Sequence, residues 1–241
     1  VPLSSRPVVR RFACSLPYGR AAAARLPRLG RVQWTVLIPA KSLPDAKSRL
    51  LGASADPAAH ARLVLAIRAD TIAAAQNAAG VARVVVVTDR STACDSAAVF
   101  VQSGTGLNAA LREAADHAAA QWPQDGIAAL LGDLPALRSG QLCAALALAA
   151  EQLRAYVPDR QGTGTTLLTA RPGQALRPEF GTGSARRHAA SATRLCADAG
   201  LRADVDTAAD LAAALLLGVG PATTAALAEP AQVPSVHFDS A

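Results

Sequence analysis

The 241-residue chain is 51% hydrophobic and 17% charged, which excludes wholesale disorder and supplies enough apolar material for the core of one large domain. Its net charge of +6 is unevenly placed: residues 1–34 hold seven of the 24 basic residues (Arg6, Arg10, Arg11, Arg20, Arg25, Arg28, Arg31) and no acid, and the 17 that remain face 18 acids. The body of the chain therefore has no polyanion-binding footprint, and no nucleic-acid partner is expected.

No apolar run approaches the ~18 residues of a membrane helix, so no membrane partner is expected either. Cys14, Cys94, Cys143 and Cys196 are far apart and form no Cys-x-x-Cys pair. They read as buried, inert thiols of a cytoplasmic protein rather than a zinc site or disulfide framework. Residues 1–32 are expected to be a flexible basic leader, 33–228 a single domain and 229–241 a loose tail; the oligomeric state is left open.

In chain order, residues 33–39 form a short apolar strand ending in proline. Asp56-Pro57 then offers an N-cap and first-turn proline for a long Ala-rich helix, with Gly80 as its C-terminal stop. Residues 81–87, with four consecutive valines, suit a strand buried on both faces. A third strand over 97–102, a helix over 107–121 and a fourth strand over 127–131 follow. Further along come a helix over 139–153 and strands over 155–158 and 165–170. A helix running from the 181–184 loop to Gly200 precedes a last major helix, which Thr207 and Asp210 open as a capping box. Strands alternating with helices predict an α/β fold, a mostly parallel sheet covered on both faces, with all strand C-termini on one ligand-binding edge.

Four segments on that edge suit phosphate chemistry. Lys41, Lys47 and Arg49 follow the first strand and can neutralise a triphosphate, although no P-loop motif is present. Asp133 directly follows the fourth strand and, with Asp204 and Asp206, can hold Mg²⁺. Strand alternation lets only one acid of Asp204-Val205-Asp206 face the metal, and Asp204 is preferred because Asp206 can serve the next helix cap. Phe180-Gly181-Thr182-Gly183-Ser184 permits close backbone approach to an anion, with Arg186, Arg187 and His188 beyond it; its bland alternative is a loop–helix junction capped by Ser184. Gly104, Gly106 and Asn108 are expected at the nucleotide base and ribose, or else form a glycine turn. No Cys–His or Ser–His pair suggests a covalent nucleophile.

Five stretches occur in order: LIPAKSLPDAKSRL (37–50), GTGLNAAL (104–111), GDLPAL (132–137), FGTGSARRH (180–188) and DVDTAADL (204–211). Together they resemble the 2-phospho-L-lactate and phosphoenolpyruvate guanylyltransferases of coenzyme F420 biosynthesis. The resemblance implies a Rossmann-like nucleotidyltransferase of the nucleotide-diphospho-sugar transferase type. It implies transfer of GMP from GTP to phosphoenolpyruvate, or alternatively to 2-phospho-L-lactate. It also places Thr166, Gly181 and Ser184 at the phospho-acid, and Asp133 and Asp204 at the metal. Thr182 stands where the family has proline, and Ala208-Ala209 replaces a Pro-Glu helix start, which weakens a cap rather than removing a catalyst. Another nucleotidyltransferase, such as a molybdopterin guanylyltransferase, and a non-enzymatic α/β binding module are the rival readings.

Overall fold

The structure, a computed structural model, describes residues 32–40, 57–89, 97–103 and 105–228. Lys41, Lys47, Arg49, Gly104, Asp56, nearly all of the leader and the whole tail lie outside the described residues. The strands are β1 (Trp34–Ala40), β2 (Val81–Thr88), β3 (Ala98–Val101), β4 (Gly126–Leu130), β5 (Arg154–Pro158), β6 (Thr165–Ala170) and β7 (Thr193–Arg194). The helices are α1 (Pro57–Gln76), α2 (Leu107–Gln121), α3 (Ser139–Ala149), α4 (Ser184–His188), α5 (Ala199–Arg202), α6 (Ala208–Leu217) and α7 (Pro221–Ala228).

Successive side chains on a strand face opposite sides, so a strand covered on both faces must be apolar throughout. β1, β2 and β4 meet that condition. Val36, Ile38, Val84, Val86, Ala128 and Leu130 pack on one side with Ile72 and Ala75 of α1 and Leu142 and Leu146 of α3. Leu37, Val85, Val87, Ile127 and Ala129 pack on the other with Ala110, Leu111, Ala114 and Ala118 of α2. The many alanines let α2 sit close to the sheet. The strands form one sheet in the order β3-β2-β1-β4-β6-β5-β7. This is the α/β architecture expected.

The sheet departs from the expected edge at β6, which runs antiparallel to both β4 and β5. Only residues 159–164 join β5 to β6, too few for a parallel crossover, so the pair closes as a hairpin. The N-terminal end of β6 thus lies beside the C-terminal end of β4, where the Leu131 amide donates to Thr166 O at 2.9 Å.

Other elements are shorter than the sequence suggested. α1 stops at Gln76, and Gly80 (φ 91°) instead forms the turn into β2, its carbonyl accepting from the Trp34 amide. The helix expected from 184 to 200 is the five-residue α4, because the chain then extends to pair with the open edge of β5; Thr193 pairs with Ala155, and the Leu195 amide donates to Tyr156 O. The last helix is two, α6 and α7, separated at Gly218 (φ 82°). The Asp70 carboxylate caps α7, accepting from the amides of Ala222 and Thr223 at 3.0 and 2.8 Å. Cys143 and Cys196 are free, but Cys143 is half-buried and Cys196 exposed, which corrects the expectation of buried thiols. Among the described residues no helix is long and apolar enough to cross a membrane.

Candidate active site

β4 delivers a buried apolar run to the sheet edge and ends at Leu130, and the chain leaves it through Leu131 and Gly132. A Cβ there would meet Ile38 Cγ2 at 3.1 Å and Pro39 O at 3.3 Å, so glycine permits the tight exit past β1. Leu134, fully buried, anchors the turn, and its amide donates to Thr71 Oγ1 at 3.0 Å. Between these fixed points Asp133 faces a cavity of about 520 Å³, with its Oδ1 buried.

Asp204 reaches the same cavity from a distant part of the chain. It lies on an irregular segment after α5, not on a strand. The Val205 amide donates to Asp133 O at 3.0 Å, and the Val205 side chain packs with Ile67, Ala136 and Ala214. That bond laces the two acidic segments together. Asp206 lines the cavity as well but is exposed, while Asp204 is half-buried. The cap of α6 is Thr207, whose hydroxyl accepts from the Asp210 amide, so Asp206 is not needed there.

The carboxylates repel one another. Burial raises the Asp204 carboxyl from 3.8 to about 7; the Asp133 charge is the next cause, and Asp206 and Asp159 add to it against a backbone hydrogen bond. Such crowding is what a bound cation relieves, and the donors are hard oxygens. Among the described residues no three Asp, Glu, His or Cys side chains converge at metal-binding distance. Asp133 and Asp204, with Asp206 on the same lining, are the carboxylates that could hold a cation taking its other ligands from water and phosphate oxygens.

The opposite wall consists of Thr163, Gly164, Thr165 and Phe180–Ser184. Asp159 shapes the hairpin loop by accepting from the amides of Thr163 and Gly164 at 2.9 and 2.7 Å. Gly181 (φ 117°) and Gly183 (φ 73°) adopt backbone conformations that favour glycine. Arg187 clamps this loop, donating to Glu179 O and Thr182 O, which commits it to structure rather than to an anion. Gly181 and Ser184 line the cavity. However, the Ser184 amide donates to Gly181 O and the Ala185 amide to Thr163 O, so neither serves an anion. Ser184 is not the helix cap; its hydroxyl donates to Thr165 Oγ1 at 3.2 Å.

Two expected contacts are placed elsewhere. Val157 pairs with Leu167 but Pro158 with Thr165, which leaves Thr166 as the extra residue of a bulge. Thr166 is fully buried with its hydroxyl directed to Val157 O, and its neighbour Thr165 lines the cavity instead. Asn108 does not present its amide to a base: it donates to Phe180 O at 3.0 Å and accepts from the Phe180 amide at 2.7 Å, tying α2 to the glycine loop. Gly106 (φ 91°) turns the chain into α2 and is not among the cavity-lining residues. Pro39, two residues before Lys41, is on the cavity wall, as is Arg68 of α1.

A sheet edge that brings Asp133, just past β4, and Asp204, from the segment after α5, to face a glycine-and-hydroxyl wall suits a nucleotidyltransferase of the Rossmann-like α/β class. The fold agrees with a putative nucleotide-diphospho-sugar transferase from Desulfovibrio desulfuricans G20 (TM-score 0.57, 16% identity, 75% of this chain and 85% of that one). It also agrees with a Mycobacterium tuberculosis H37Rv protein solved as a manganese complex (TM-score 0.52, 20% identity, 77% of this chain and 98% of that one). Within that class the chain belongs to the guanylyl transferase CofC-like family, whose model matches residues 34–229. Phosphoenolpyruvate guanylyltransferase from Geodermatophilus obscurus is 50% identical over 206 residues, 80% of this chain and 94% of the relative. Its counterpart from Streptomyces coelicolor is 47% identical over 206 residues, 82% of this chain and 97% of the relative.

Proposed function

We propose that the protein transfers GMP from GTP to phosphoenolpyruvate, giving enolpyruvyl-diphospho-5′-guanosine and pyrophosphate on the route to coenzyme F420. The observation that carries this reading is the single cavity in which Asp133 and Asp204 face Thr165, Gly181 and Ser184. A metal-assisted triphosphate fits one wall and a small phosphorylated acid the other. The relatives named phosphoenolpyruvate guanylyltransferase, at 47–50% identity, supply the acceptor.

In this reading a phosphate oxygen of phosphoenolpyruvate attacks the α-phosphorus of GTP. One P–O bond forms, the bond to the β-bridging oxygen breaks, and its electron pair leaves on pyrophosphate. The acceptor phosphate is already anionic near neutral pH, so no side chain need remove a proton. Asp133 and Asp204 would hold Mg²⁺ or a similar divalent ion, as the crowding at Asp204 favours. When bound, that ion neutralises charge on the triphosphate. Lys41, Lys47 and Arg49 are proposed to add positive charge there. Ser184 and the Gly181–Gly183 backbone hold the acceptor in line.

The test is pyrophosphate release from GTP on addition of phosphoenolpyruvate, with Asp133→Asn as the control. Release that depends on both substrates and falls at least about 100-fold in the folded variant is expected. Release without acceptor, or unchanged in the variant, would refute the site.

A further inference from the structure

We propose that His188 is a positioning residue that aims one hydroxyl hydrogen of the Thr165–Ser184 pair into the acceptor seat. The inference rests on the acceptor site proposed above and concerns how that site presents a donor to an anionic oxygen.

His188 is fully buried, its ring 5.2 Å from that of Phe180 and 6.2 Å from that of Tyr156. Its Nε2 lies 2.9 Å from the Glu179 amide. A backbone N–H only donates, so Nε2 must accept and carries no proton. Burial, opposed by Glu179 and reinforced by Arg187, lowers the ring to about 4, so it is neutral at pH 7 and its proton is on Nδ1. Nδ1 lies 2.8 Å from Thr165 Oγ1 and donates to it.

Thr165 and Ser184 share one further bond, at 3.2 Å, which uses one of their two hydroxyl hydrogens. If Nδ1 accepted, Thr165 would give its hydrogen to the ring and Ser184 its hydrogen to Thr165, leaving none. Because Nδ1 donates, one hydroxyl hydrogen is left over. Both residues line the cavity, and on this proposal that hydrogen is directed to a phosphate or carboxylate oxygen held there. This donor matters because the Ser184 and Ala185 amides are committed within the loop. The Glu179 amide thus sets the polarity of a chain that ends at the acceptor.

Two measurements on the full-length protein test this. In ¹⁵N-histidine-labelled wild type, with His188→Asn used for assignment, the His188 proton is expected on Nδ1 with Nε2 bare at pH 7. A proton on Nε2, or a charged ring, overturns the proposal whatever the acceptor. In kinetics, His188→Asn keeps an N–H donor near the Nδ1 position, whereas His188→Gln keeps an acceptor near Nε2 and loses that donor. His188→Gln is expected to raise the acceptor KM by about 10-fold or more. His188→Asn should stay within about threefold, and kcat and the GTP KM should hold in both. Equal losses in both variants, or a fall in kcat alone, would mark His188 as merely structural. If wild type turns over no phospho-acid, the function proposed above fails, while the proton location still decides the orientation of the hydroxyl pair.

Discussion

Replacing Asp204 with asparagine should stabilise the metal-free protein at alkaline pH while abolishing its metal response. The native carboxyl lies at about 7 against 3.8 ordinarily, so the folded state binds its proton more tightly than the unfolded chain does. Its contribution is therefore fully present below pH 3.8 and is lost as pH rises through about 7. At pH 8 the native protein carries the crowded charge and the variant does not. At ~1.4 kcal/mol per pH unit, the displacement corresponds to about 4 kcal/mol. Solvent reaches the half-buried side chain, which discounts this to about 2 kcal/mol. For a domain of this size that is roughly 4–8 °C in Tm. Thermal unfolding of both proteins in chelator from about pH 3.8 to 8 measures it: the two curves should converge only at the acid end, already differ in part by pH 5, and diverge further in the variant's favour by pH 8. Added Mg²⁺ or Mn²⁺ should close the gap by stabilising wild type alone. A difference that does not change with pH, or a variant that is less stable at pH 8, would refute the crowded-carboxylate account.

Three further outcomes follow from the contacts. Thr165→Val should raise the acceptor KM by about 10-fold or more, whereas Thr166→Val, in the bulge, should leave steady-state kinetics within about twofold. Asn108→Ala removes both bonds to the Phe180 backbone and should raise the acceptor KM more than the GTP KM; the reverse would restore Asn108 to base recognition. Asp70→Ala uncaps α7 and should cost about 1–2 kcal/mol in chemical denaturation, with kcat unchanged.

The elements best read from sequence are those whose local signal is also their tertiary role. α2 and β6 have the bounds expected, and β2 and β4 are apolar because both of their faces are covered. The place of Asp133 on the cavity wall was legible because it closely follows a buried strand, and the Thr207–Asp210 box because its spacing is the cap itself. The direction of β6 is encoded in loop length alone: six residues between two strands permit a hairpin but no crossover. The remaining features depend on distant partners. Alternation along β6 cannot reveal a bulge that arises in its pairing with β5, so Thr166 and Thr165 exchange places at the cavity. Asn108 meets Phe180 72 residues away, and Asp70 meets Thr223 153 residues away; no periodicity encodes either contact. His188 reads as a lone histidine until the fold brings Glu179 and Thr165 to its two nitrogens.

The most direct test of the central claim follows the guanylyl group itself. GTP labelled with ³²P at the α-phosphorus, Mg²⁺ and the full-length protein are incubated with phosphoenolpyruvate or with 2-phospho-L-lactate, and the products are separated and identified by mass. The account predicts that the label moves into a GMP–phosphoenolpyruvate diphosphate, one pyrophosphate released per adduct, with phosphoenolpyruvate the preferred acceptor by kcat/KM. Label that enters only the 2-phospho-L-lactate adduct would contradict the acceptor, and label that enters neither would contradict the guanylyltransferase reaction.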